Sequence, residues 1–356
     1  MNSSNLHFKV TYYSKSNYLF HSNDQIIKIK GMKVDKETIK ARSELYKAIR
    51  NFFDKRNYLE VETPTLSPDL IPEATIDNFG TTFINEFQGS RELYMIPSPE
   101  VFMKKLIAQG SGSIYQISKC FRNCEQIGDI HNPEFSMLEY YTVDFDEMDS
   151  IKLTEEFLKE TALHNCPQSV LEPFEILTVH DAVAKYANGT DLDQLQNPKD
   201  LRAQAEKLGL PIPGPESWDD TFNRIFINFV EPNLPKEHPV CLIDYPKQIE
   251  CLAEQKGNYR RRWELYINGI EVANCYLEER NVQTVRDYYA KEYQKLLKLR
   301  ANTGKVIPDV DNNFAGIFAT FPKCSGVAMG LDRLLLIQTG KKNINDVLTF
   351  PFQLFF

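Results

Sequence analysis

The chain has 356 residues, a formal net charge of −8, 42% hydrophobic and 25% charged residues, which is the balance of a soluble globular protein with one large domain or two ordinary ones. No apolar run approaches the roughly 20 residues of a membrane helix, the first eighteen residues lack a signal-peptide core, and the acidic balance argues against nonspecific nucleic-acid binding by the whole chain. The seven cysteines are scattered without a Cys-x-x-Cys pair or Cys/His cluster, so free thiols in a reducing cytoplasm and no zinc site are expected.

Residues 1 to 30 alternate aromatic and polar side chains ("FKVTYYSKSNYLF", "QIIKIK") and predict a short β-rich N-terminal extension. From about Asp35 the period changes, with Ala41, Leu45, Ile49, Phe52 and Phe53 at helical spacing until about Asn57. "YLEVETPTL" reads as a strand up to Pro64, which stops pairing, and "ELYMIP" as another strand. "SPEVFMKKLIAQG" predicts a helix with Ser98 as N-cap, Pro99 in the first turn and Gly110 as its stop. "IYQISKCF" and "FSMLEYYTVDF" form a hairpin, and residues 150 to 230 read as a helical accessory stretch. Strands return at "VCLIDYP", "RWELYINGIEVANCYLE" and around Val327, with helices over 282–302 and 331–339. The order predicts an α+β domain over residues 31 to 356, an antiparallel sheet flanked by helices. No Gly-x-Gly-x-x-Gly follows a strand, which argues against a dinucleotide fold or P-loop.

Three stretches carry residues suited to chemistry. In the hairpin, "FRNCEQIGDIHNPEF", Arg122 can set a planar fork against a phosphate, Phe135 offers a face for a base, and Glu125 or Glu134 can accept from an exocyclic amine. Each alone is more often a surface Arg, a core Phe or a solvated Glu. In "GVAMGLDRLLLI" the glycines at 326 and 330 ask for something close to the backbone, and Arg333 can cover a bound nucleotide; the ordinary reading is an N-capping Asp332 before a core-facing Leu run. In "NGIEVANCYLEE", Glu271 and Glu278 would not share a face of a regular strand, but a bend or bulge near Asn274 could bring both carboxylates to one cleft, as Mg²⁺ beside a triphosphate requires. The alternative is two solvated carboxylates on an edge strand.

Taken in order, the helix-strand-Pro at 39 to 64, "FRN…HNPEF" and "GVAMGLDR" resemble the three signatures of class II aminoacyl-tRNA synthetases. "HNPEF", "MLEYY", "GIEVAN" and "SGVAMGLDR" are most similar to the lysyl subgroup. Only about 30 residues precede the catalytic region, too few for an anticodon-binding barrel, and Ala328 stands where lysyl-tRNA synthetases carry Gly. Both features resemble the paralogue family that attaches (R)-β-lysine to elongation factor P. One departure is that "RNCEQIGDIH" has nine positions from Arg to His where the family has eight. Cys124 therefore falls where Glu is expected, and Glu125 is expected to take its role through a bulged loop.

The resemblance implies an ATP-dependent, AMP-forming ligase, with a catalytic set of Arg122, Glu271 and Arg333. It implies ATP binding by Arg122, Asn123, Glu125, Asn132, Phe135, Glu271, Val272, Gly330 and Arg333, with Mg²⁺ on Glu271. Ser98, Pro99, Glu100, Tyr141, Glu278 and Ala328 would bind the lysine-type amino acid. The added methyl of Ala328 would favour a β-amino acid. The expected acceptor is a Lys of elongation factor P rather than tRNA, and the expected assembly a homodimer through the first signature. A truncated lysyl-tRNA synthetase and a non-catalytic sensor of adenylate or amino acid are the alternatives.

Overall fold

The computed structural model describes residues 35–211 and 214–355; the β-rich reading of residues 1 to 30 lies outside them. The chain enters through α1 (Lys36–Asp54), capped by the Asp35 carboxylate on the Glu37 amide, and the short strands β1 (Leu59–Glu60) and β2 (Leu66–Ser67). The strands β3 (Gly80–Phe83) and β4 (Arg91–Met95) lead to α2 (Glu100–Ala108), and the hairpin β5 (Ile114–Phe121) and β6 (Glu134–Val143) leads to α3 (Glu147–Glu160). After these come β7 (Glu175–Thr178), α4 (Val179–Tyr186), α5 (Pro198–Lys207) and α6 (Trp218–Ile225). The strands β8 (Val240–Pro246), β9 (Gln255–Lys256), β10 (Tyr259–Ile267) and β11 (Ile270–Leu277) precede α7 (Val282–Arg300), β12 (Cys324–Gly330) and α8 (Leu331–Gln338).

Nine strands form one sheet in the order β1-β5-β6-β12-β11-β10-β8-β7, with β9 on β10, and β2-β4-β3 form a smaller one. Among the described residues, the parallel pairs of the large sheet are β1–β5 and β7–β8, at its two ends. One face is buried under α1, α3 and α8. Leu45, Ile49, Phe52 and Phe53 of α1 and Phe157 of α3 pack against Tyr115, Tyr140, Trp263 and Val327. Phe53 stacks on Tyr115 with centroids 4.5 Å apart, and the Trp263 indole donates to the Glu147 carbonyl at 3.0 Å. The other face stays open along its middle, and the site lies there.

Four local expectations change. The strand expected over "YLEVETPTL" is two short ones, because Pro64 sits between them. The stretch at 150 to 230 is not wholly helical: β7 joins the sheet parallel to β8, and α4, α5 and α6 share a second core with Val240, Leu242 and Tyr266. Helix α2 begins one residue later than expected, with Pro99 at the N-cap, while the Ser98 hydroxyl accepts from the Glu100 amide at 3.1 Å. Finally, Asp332 does not cap α8, whose N-cap is Gly330.

Asp332 instead is 2% exposed, accepts the Ser136 amide of β6 at 2.7 Å and pairs with Arg42 of α1 at 2.7 Å. One carboxylate thus ties the first and third signatures to β6, the strand that carries the end of the second. Replacing it with Ala strands a largely buried guanidinium and a strand N–H, and breaking a buried pair of this kind costs about 3–5 kcal/mol. Urea unfolding of Asp332→Ala is expected to show that loss; a change below about 1 kcal/mol would contradict the tie.

Candidate active site

The open face takes its shape from β12. Val327 and Met329 point into the core, so the pleat turns Gly326, Ala328 and Gly330 to the other side. Ala328 lies between Glu139 and Asn274 in register, and Gly326 between Tyr141 and Tyr276. Small residues on the central strand make a floor, and the larger neighbours rise as walls. A Cβ on Gly326 would lie 2.5 Å from Glu278 Oε1 and 2.6 Å from Tyr141 Cε1, so only glycine fits there.

The trough divides into two adjoining cavities. The larger, about 260 Å³, is lined by Arg122, Glu125, Asn132 and Phe135 from the hairpin, Glu271 and Val272 from β11, and Ala328, Gly330 and Arg333. The Arg122 guanidinium sits 5.2 Å over the Phe135 ring, and its Nε is buried without a hydrogen-bond partner. Arg333 donates to the carbonyls of Glu271 and Ile130 at 2.9 and 3.2 Å and to His131 Nε2 at 2.9 Å. Burial and Arg333 lower the His131 pKa, which keeps its ring a neutral acceptor. Asn132 donates to the Glu134 carbonyl at 2.5 Å and accepts the Phe352 amide at 3.0 Å.

A bulge in β11 places Glu271. Leu265 pairs with Ala273 but Tyr266 pairs with Glu271, so Val272 is the extra residue. The expected irregularity exists, two positions before Asn274. It moves Glu271 to the face shared by Asn274, Tyr276 and Glu278. Desolvation at the cleft floor and the nearby Glu264 carboxylate push the Glu271 carboxyl up to about 7, although 42% of its side chain is open to the cleft. Glu264 itself is committed, to Arg262 and to the hydroxyls of Tyr245 at 2.5 Å and Tyr266 at 2.7 Å. Glu271, with Arg333 Nη1 at 3.6 Å, keeps carboxylate oxygens toward the cavity. One hard oxygen donor beside a phosphate-sized space fits Mg²⁺, which is bound by one or two carboxylates together with substrate phosphates.

The smaller cavity, about 90 Å³, shares Arg122, Asn274 and Ala328 with the first and adds Ser98, Glu100, Tyr141 and Glu278. Two unforeseen carboxylates, Glu73 and Glu139, also line it. Burial pushes Glu139 up to about 8 with help from Glu100, and Glu73 and Glu278 to about 7. Behind the wall sits Lys104, fully buried, its Nζ 2.5 Å from Glu100 and 2.7 Å from Glu278.

Two expected residues stay outside both cavities. Asn123 spends its side chain on the Asn78 carbonyl and the Cys124 amide, and Pro99 only begins α2. Of the two candidates for the shifted Glu position, Glu125 lines the larger cavity, whereas Cys124 is exposed at φ 54°. Glu139 was legible as the acid in "MLEYY"; Lys104 and Glu73 carried no local signal, since a Lys inside an amphipathic helix and a Glu in a loop normally face water.

Carboxyls held near 7 to 8 are partly protonated at neutral pH and must ionise to hold an ammonium group. An ammonium ligand placed in this cavity is therefore expected to bind more tightly as pH rises from 6.5 to 8.5, with proton release on binding. Calorimetry with L-lysine in buffers of different ionisation enthalpy reads both; pH-independent affinity without proton release would contradict the assignment.

A family model described as tRNA synthetases class II (D, K and N) matches residues 20–353. The curated protein named Elongation factor P--(R)-beta-lysine ligase of Proteus mirabilis (strain HI4320) is 34% identical over 319 residues, covering 87% of this chain and 93% of that protein. Proteins of the same name from Haemophilus influenzae (strain ATCC 51907 / DSM 11121 / KW20 / Rd) and Pasteurella multocida (strain Pm70) are 35% and 34% identical, covering 87% and 88% of this chain and 93% and 94% of theirs. With its antiparallel sheet, its three ordered signatures and these matches, the chain belongs to the class II tRNA synthetase family, a family of ATP-dependent ligases.

Proposed function

We propose that this protein activates (R)-β-lysine with ATP and transfers it to a lysine side chain of elongation factor P. The observation that carries the reading is the pair of adjoining cavities, one basic and aromatic, the other acidic, meeting at Arg122. An amino acid bound by its amines in the acidic cavity presents its carboxylate where a nucleotide in the basic cavity presents its α-phosphate. The carboxylate oxygen attacks the α-phosphorus and the bond to pyrophosphate breaks. The acceptor amine then attacks the acyl carbon, AMP leaves, an amide forms and a proton is lost from the amine.

In this reading Arg122 holds the α-phosphate through its unpartnered Nε, Phe135 stacks on the base, and Arg333 covers the nucleotide from α8. Asn132, Glu125, Val272 and Gly330 line the nucleotide, and Ser98, Glu100, Tyr141 and Glu278 face the amino acid. Mg²⁺ on Glu271 would supply charge neutralisation for the phosphates. The protein's share is positioning and fixed charge. Ala328, at the junction of both cavities, adds the methyl that sets where the substrate backbone rests. The relatives' printed name supports elongation factor P as acceptor, and the matched length supports carrying over the whole activity.

A homodimer is part of the proposal. Ile39 of α1 and Leu59 of β1 are 42% and 57% exposed, and Leu66 of the following β2 is 43% exposed, so the first signature and the strand after it present apolar surface outward. Sedimentation at micromolar concentration is expected to give the dimer mass; a stable monomer would remove this element.

The activity test uses purified protein with ATP, (R)-β-lysine and elongation factor P. Mass spectrometry is expected to find one lysyl-type addition on one Lys, and Arg122→Ala is expected to lower amino-acid-dependent pyrophosphate exchange at least ~100-fold. Ala328→Gly should shift preference toward α-lysine by about tenfold, the scale of one methyl. An unmodified factor beside efficiently charged tRNA, or full exchange by Arg122→Ala, would overturn the reading.

A further inference from the structure

Lys104 is the least expected charge in the molecule. Its side chain is 0% exposed, although nothing about a nine-residue surface helix requires a buried ammonium. Glu100, one turn earlier on the same helix, would suffice to pair it. The second partner, however, is Glu278, which comes from the far end of β11 and is itself 2% exposed. An ammonium shared by two carboxylates of different elements, both of which line the smaller cavity, does more than satisfy itself.

The oxygen assignments show what. Lys104 takes Oε1 of Glu100 and Oε2 of Glu278. The other oxygen of Glu278, Oε1, lies over Gly326, at the cavity floor. Without a cation between them, the two carboxylates would repel each other. Glu139 and Glu73 add further carboxyls from β6 and the loop before β3, and the one cation lining this cavity, among the described residues, is Arg122 at its opposite mouth.

We propose that Lys104 is a positioning residue for amino-acid recognition. Its buried ammonium fixes one oxygen of Glu100 and one of Glu278 and leaves their remaining oxygens for the amine of the substrate. This rests on the reading of the smaller cavity as the amino-acid site. Lys104 touches neither ATP nor the reacting atoms, and its effect is expected on one substrate only.

The test compares Lys104→Met with wild type in the pyrophosphate-exchange assay, with KM read separately for (R)-β-lysine and ATP. Lys104→Met is expected to raise the amino-acid KM at least tenfold, leave the ATP KM within twofold, and move the acid limb of the amino-acid kcat/KM profile to higher pH. Should Lys104→Met fail to fold, Lys104→Met/Glu100→Gln removes the uncompensated charge and is compared with Glu100→Gln alone; it is expected to raise the amino-acid KM further than that single variant while leaving the ATP KM within twofold. Unchanged amino-acid KM, or equal changes for both substrates, would overturn the assignment. Glu278→Gln separates the two readings. If it leaves amino-acid KM unchanged, the cavity is not the amino-acid site; if it raises that KM while the Lys104 variants do not, only the positioning role fails.

Discussion

The period of two along β12 is the constraint on which the site depends. A strand in the middle of a sheet has two faces, and "CSGVAMG" gives each a different job. Val327 and Met329 lock it to the helical layer, while Gly326, Ala328 and Gly330 leave the opposite face almost bare. Because both neighbouring strands pair with β12 in regular register, their large side chains stand on either side of that bare strip. The hollow is therefore a property of one strand's alternation, and Asp332, just beyond its end, anchors it to α1 and β6.

Electrostatics then gives the hollow two ends. Arg122 and Arg333 enter from the hairpin and from α8, where the backbone carbonyls of Ile130 and Glu271 orient Arg333. At the other end, four carboxylates crowd together, and burial raises three of them into the neutral range. Such crowding destabilises the empty protein, and carboxyls kept partly protonated are how a protein tolerates it. A ligand with ammonium groups would offset that crowding in a way that no neutral ligand can.

Much of this was legible in the sequence, for identifiable reasons. Alternation in "FSMLEYYTV" and "CSGVAMG" marks strands whose two faces differ, and the helical spacing of Leu45, Ile49, Phe52 and Phe53 marks the face of α1 that is buried. The site residues were visible because their types are unusual for their positions: Arg at a strand end, Gly within a strand, paired Glu in an apolar run. What escaped notice depends on contacts distant in sequence. The Arg42–Asp332 pair spans the whole domain, so Asp332 looked like a cap. The short strand β7 was hidden because its partner, β8, lies some sixty residues downstream, and four residues carry too little pattern to outweigh helical neighbours. A lysine on an amphipathic helix carries no mark of burial in the sequence, because Glu278, one of the two partners of Lys104, lies on a distant strand.

The bulge at Val272 also bears on how this segment can change length. Glu271 and Glu278 face the same hollow only because one extra residue breaks the alternation between them. Deleting Val272 would remove the bulge and leave the two carboxylates an even number of positions apart, which a straight strand also sets on one face. Deleting or inserting one residue in the regular part after Val272, with the bulge kept, would instead turn one carboxylate toward the packed layer beneath. Spacing and bulge therefore work as a pair: an odd spacing needs the extra residue, and an even spacing needs a strand without it.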